Sequence, residues 1–139
     1  MTERIEENRF RHLKDKDRRR FYLDHYIVAL NELVLDPESD IYLYQELDEL
    51  HPLRTKGINF LIETRTRGAL VPLYLCSNRR FIADHIRRFP EIPVIFLKDK
   101  ASLDLRSIEE LKRSTLEQIG KFLSGVYPKP YDNSGVNFS

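Results

Sequence analysis

From Arg20 onward, Leu23, Tyr26, Ile27, Leu30, Leu33 and Val34 recur at spacings of three and four, which predicts a helix over 20–35 with one apolar face. Asp36-Pro37 ends it, because a residue before proline is pushed out of the helical region. The stretch 40–50 fits two patterns. Ile41, Tyr42, Leu43 and Tyr44 form a β-favouring run, while Leu43, Leu47 and Leu50 share a helical face that Asp40 would cap. A strand over 41–45 is the better reading, because the next segment carries helix signals of its own. Pro52 suits a first helical turn, Leu53, Phe60, Leu61 and Thr64 share a face, and Gly68 stands where a left-handed terminal residue is wanted. These features predict a helix over 53–67.

Residues 69–76 read as a short buried strand, followed at once by Ser77 and Asn78, two helix-capping residues. A helix over 78–89 carries Phe81, Ile82, His85, Ile86 and Phe89 on one side, and Pro90 stops it. A second apolar strand over 92–97 follows, then a polar loop over 98–102. The last helix, 104–124, aligns Leu105, Ile108, Leu111, Thr115, Ile119, Phe122 and Leu123, and Gly125 closes it. The tail, 126–139, has two prolines and no apolar period, as an extended or disordered terminus would.

The order is a helix followed by β-α-β-α-β-α, which predicts an α/β fold: a small three-layer domain with a short, mostly parallel sheet and right-handed crossovers. The alternation over 53–89 resembles, without a shared motif, that of the sulfate-transporter/anti-sigma-antagonist domain. A sheet of three strands leaves an edge to cover, and helix 20–35 carries more apolar surface than so small a sheet can bury. A homodimer is therefore expected.

Composition narrows the classes of function. With 139 residues, 41% hydrophobic and 32% charged, the chain has the balance of one folded domain. Its 23 basic and 22 acidic side chains nearly cancel, so binding to nucleic acid or another polyanion has to come from a local patch. Residues 1–20 mix both signs densely, as a solvated helix or charged arm does. Residues 1–20 lack the apolar segment of a signal peptide, no run approaches the length of a membrane span, and the single cysteine, Cys76, falls in an apolar run where a buried thiol is the usual outcome. A cytoplasmic location without membrane partners is expected.

Ligands of open parallel sheets bind outside the carboxyl ends of the strands, which nominates the loops 45–48, 77–80 and 98–102 on one edge. Ser77, Asn78, Arg79 and Arg80 place caps and two guanidinium groups at a helix start, where phosphate oxygens meet free N–H groups. Lys98 or Lys100 from the neighbouring strand end would add charge, and Arg18, Arg19 and Arg20 would extend the surface for a longer polyanion. The plainer reading of the same residues is a capped helix whose arginines meet solvent or pair with Asp84 and Glu91. An alternative chemistry uses Glu46, Asp48 and Asp99 as ligands of Mg²⁺ in a small metal-dependent phosphodiesterase or nuclease.

Other motifs give less. His12, His25, His51 and His85 lack the spacing of a zinc site, and the five glycines form no phosphate loop. Arg19-Arg20-Phe21 with Asp24-His25 echoes Arg79-Arg80-Phe81 with Asp84-His85, a repetition that chance explains in an arginine-rich chain. With no recognisable catalytic set, the sequence favours a non-enzymatic regulatory or interaction module that binds a phosphorylated or nucleic-acid ligand and needs no cofactor.

Overall fold

The computed structural model describes residues 15–99 and 101–128, with side chains from Arg18 onward. The charged arm over 1–14, Lys100 and tail residues 129–139 lie outside the described residues. The elements are α1 (Asp15–Leu35), β1 (Ile41–Glu46), a 3-10 turn (Pro52–Lys56), β2 (Phe60–Thr64), β3 (Leu70–Cys76), α2 (Arg80–Arg88), β4 (Val94–Phe96) and α3 (Ile108–Leu123). Among the described residues the fold is mixed α/β, with three helices and one four-stranded sheet in the order β1-β2-β3-β4.

The helix expected over 53–67 does not form, and this corrects the expected topology. Pro52 does open a helical turn, and His51 Nδ1 caps it by accepting from Leu53 N at 3.1 Å. The turn stops at Gly57, whose φ of 78° lies in the left-handed region. The chain then extends, and Phe60, Ile62 and Thr64 are buried while Leu61 and Glu63 between them are less so. That alternation is the period of a strand. β2 pairs antiparallel with both β1 and β3, and Gly68, with φ of 61°, sits in the loop joining it to β3. Only β3 and β4 are parallel, with Tyr74 opposite Val94 and Cys76 opposite Phe96. The sheet is therefore mixed, not mostly parallel, and the order is α-β-β-β-α-β-α. Without a helix over 53–67, the likeness to the anti-sigma-antagonist alternation loses its first element.

The predicted strands 69–76 and 92–97 do lie side by side in parallel, and both flanking helices form. α3 starts at an N-cap in which Ser107 Oγ accepts from Glu110 N at 3.2 Å. The end of this helix is not followed at once by unstructured chain, because Tyr127 returns to Phe122 with ring centroids 6.4 Å apart and donates to Gln118 Oε1.

One sheet face packs against α1 and α3. Tyr26, Leu30 and Leu33 of α1 meet Phe60, Ile62, Val71, Leu73 and Ile95 of the sheet and Leu111 and Ile119 of α3. Tyr26 is fully buried and donates to Thr115 Oγ1 at 2.7 Å, while Thr115 donates to the Leu111 carbonyl at 2.7 Å. Burial raises the Tyr26 phenol well above its ordinary value, so it stays a neutral donor. The opposite face holds a smaller cluster of Leu47, Ile58 and Ile92 with Leu53, Leu61, Tyr74 and Phe89 packed on it. Among the described residues no helix is long and apolar enough to cross a membrane.

Candidate functional site

β1, β3 and β4 run in one direction and β2 in the other. The loops after β1, β3 and β4 therefore open on one edge, together with the start of β2. A cleft of about 870 Å³ lies at this edge. α1 supplies Arg18, Arg19, Tyr22 and Leu23, the 3-10 turn supplies Arg54, and Asn59 stands at the entry to β2. The end of β3 and the start of α2 contribute Tyr74, Leu75, Cys76, Ser77, Asn78, Arg79 and Phe81. Phe96, Leu97, Lys98 and Leu103 complete the wall. Among the described residues, five that line it are basic, Arg18, Arg19, Arg54, Arg79 and Lys98, and none is acidic.

Local bonding fixes the floor. Asn59 N donates to the Leu73 carbonyl at 2.8 Å, and Asn59 Oδ1 accepts from Leu75 N at 2.6 Å, so this side chain continues the β2–β3 ladder beyond the last strand residue. The Cys76 thiol donates to the Asn78 carbonyl at 3.0 Å, and burial pushes its pKa up, away from the thiolate a nucleophile needs. The Tyr74 ring stacks on His85 with centroids 4.0 Å apart and planes 6° from parallel. His85 donates through Nε2 to the Ile92 carbonyl at 3.2 Å, and burial lowers its pKa, so the imidazole is neutral. At the rim, Arg54 Nη1 donates to the Leu47 carbonyl at 3.1 Å, and Lys98 Nζ stands 5.3 Å from the centre of the Tyr22 ring. Leu103 holds a φ of 64°, in the left-handed region a leucine rarely adopts.

Of the residues nominated for anion binding, Ser77, Asn78, Arg79 and Lys98 line the cleft, whereas Arg80 is not part of its wall. Asn78 Oδ1 accepts from Arg80 N at 3.0 Å, so α2 begins two residues later than the periodicity suggests, with Arg79 in the capping position. Asp84 pairs with Arg87 and Arg88 of its own helix, and the Arg87 bond holds its carboxyl below the usual range. Arg18 and Arg19 reach the cleft, whereas Arg20 bonds to Glu46 at 3.0 Å and to Asp24 at 2.7 Å.

The three carboxylates considered for Mg²⁺ are each engaged elsewhere. Glu46 is held by Arg20, Asp48 Oδ1 accepts from Leu50 N at 2.9 Å, and Asp99 Oδ1 accepts from Ala101 N at 2.8 Å and Ser102 N at 3.1 Å. Those backbone bonds keep the Asp99 carboxyl below its ordinary pKa. Asp99 borders a separate recess of about 550 Å³ with Arg106 and Glu110. Among the described residues no three His, Cys, Asp or Glu side chains are gathered so that they could share a metal ion.

Sequence reasoning misses Arg54 and Asn59 as cleft residues because their segment has the apolar spacing of a helix, and Tyr74 because it falls inside the apolar run of a predicted strand. The two copies of the repeated motif fall on separate helices, α1 and α2. Its two leading arginines, Arg19 and Arg79, both line the cleft, and its two histidines both bond to backbone carbonyls, His25 to Arg106 at 2.7 Å and His85 to Ile92. In comparisons with known proteins, the chain matches no family model, no curated protein and no solved structure.

Proposed function

We propose that the protein is a non-enzymatic binding module that takes a phosphorylated or nucleic-acid ligand in the strand-end cleft. The observation that carries this reading is the charge of the lining: among the described residues, five cations and no carboxylate around one recess, in a chain whose total charge is only +1. Such a recess concentrates positive potential, and arginine forks match phosphate oxygens through paired hydrogen bonds. A homodimer belongs to the same proposal. Its support is the outer edge of β1, which has no further strand beside it among the described residues and carries the exposed side chains of Tyr42 and Leu43.

The test is salt-dependent binding of a short single-stranded oligonucleotide to the wild type, to Arg79→Ala with Lys98→Ala, and to Arg80→Ala. The double variant should weaken binding roughly ten- to a hundredfold, since each charge-assisted hydrogen bond contributes about 1 kcal/mol or more. Its slope of log affinity against log salt should flatten by about 0.7 for each phosphate that is no longer neutralised. Arg80→Ala should bind as the wild type does, and the oligonucleotide should be recovered uncut after incubation with Mg²⁺. Equal affinity and equal slope for the wild type and the double variant would reject the cleft as an anion site.

A further inference from the structure

We infer that the ligand is single-stranded nucleic acid, held with one unpaired base stacked on Phe81 while its phosphates meet the arginines of the cleft. This rests on the anion reading above and adds what the charge alone does not give. Phe81 lies in the first turn of α2, lines the same cleft as Arg79, and leaves 56% of its surface exposed. A lone exposed phenylalanine is ordinary. One exposed on the wall of a cationic recess has the arrangement that binds unpaired bases, in which the rings carry the bases and the cations follow the backbone. Leu103, on the same wall, is 55% exposed and is held in a left-handed conformation by a bond from its own N to the Asp99 carbonyl at 2.9 Å. The loop thus presents an apolar side chain toward solvent beside the cleft at a backbone cost of about 1 kcal/mol.

The shape selects between strands and duplexes. A duplex is read by elements that enter its grooves, whereas a recess too small to enclose a duplex takes only bases that have left the stack. The site here is concave, and its volume of about 870 Å³ is that of a small-ligand pocket, which holds a few nucleotides at most. Inorganic phosphate or polyphosphate would satisfy the cations and leave the apolar surfaces of Phe81 and Leu103 in water. An acidic peptide without aromatic residues could pair with the arginines but offers no planar ring to Phe81.

The experiment measures binding of a labelled oligodeoxythymidylate by anisotropy, with competition by inorganic polyphosphate, poly-glutamate and a DNA duplex of similar length. Wild type, Phe81→Ala and Phe81→Trp are compared. The wild type should prefer the single strand to every competitor. Phe81→Ala should weaken oligonucleotide binding roughly five- to a hundredfold, the range expected for one base–aromatic stack, with the salt slope and the polyphosphate affinity unchanged. Phe81→Trp should restore it. If oligonucleotide and polyphosphate both bind but Phe81→Ala has no effect, or if the duplex or poly-glutamate binds at least as tightly as the strand, this inference is overturned and the anion reading stands. If neither oligonucleotide nor polyphosphate binds, both fail.

Discussion

The α1–α3 face of the sheet and the strand-end edge use the same strands in opposite ways. On the face, polar groups are matched within the chain: the Tyr26 hydroxyl ends on Thr115, and Thr115 ends on a carbonyl of its own helix. At the edge, cations from α1, the 3-10 turn, the start of α2 and the end of β4 converge, with no carboxylate in the wall among the described residues. The face is closed by contacts within the chain, and the edge is where the proposed ligand would bind. Stability should therefore reside in the first region and binding in the second, so substitutions in each should have separable effects.

The largest effect is expected from Phe60→Ala. Phe60 is fully buried and packs edge-on to Tyr26 with ring centroids 5.5 Å apart. Its truncation should cost about 3–5 kcal/mol in urea denaturation, a large part of a small domain's stability, while the folded fraction keeps the oligonucleotide affinity of the wild type. A Phe60→Ala protein that is stable but no longer binds would break the division between face and edge.

Acid should produce a smaller effect through His85, which belongs to neither region but supports Tyr74 from behind. Burial holds its folded-state pKa below the ordinary 6.5, although the Ile92 carbonyl and the charges of Glu91 and Asp84 oppose the shift. Between those two values the unfolded chain binds more protons than the folded one. Stability therefore rises with pH through that window and is lost progressively as pH falls below 6.5. Melting temperatures between about pH 5 and 7 should decline toward acid in the wild type and decline less in His85→Phe, which keeps a ring against Tyr74 but cannot titrate. Parallel curves for the two proteins would remove His85 as the source.

The smallest effect on the protomer is expected at the outer edge of β1. Tyr42→Lys should change protomer stability by no more than about 0.5 kcal/mol, because the side chain is exposed, yet it should shift sedimentation from dimer toward monomer. A wild type that sediments only as a monomer at high micromolar concentration would reject the homodimer.

Much of this division can be read in the sequence, and the part that cannot has a physical cause. α1, α2 and α3 announce themselves through apolar periods and β3 through a short apolar run followed by capping residues, and the nearness of Ser77, Asn78 and Arg79 to Lys98 follows from two parallel strand ends. The segment around β2 is ambiguous because Phe60, Leu61 and Thr64 fit a helical face, while Phe60, Ile62 and Thr64 fit a strand equally well. What decides is tertiary: β2 finds partners on both sides, which a five-residue run cannot reveal by itself. The ambiguity extends to the site, since the hairpin brings Arg54 and Asn59 to the cleft. Pairing of Arg20 with Glu46 is equally hidden, because it joins side chains 26 positions apart.

Gly57 connects these levels. A Cβ built there would lie 2.7 Å from the Phe89 ring and 2.8 Å from His85 Cε1. Both of those side chains belong to α2 or its end, so position 57 acts as a spacer between the 3-10 turn and that helix. The turn carries Arg54 and the start of the helix carries Arg79 and Phe81, all lining the same recess. A side chain at position 57 would press apart two elements that both carry cleft residues, and its left-handed φ disfavours any residue but glycine there as well.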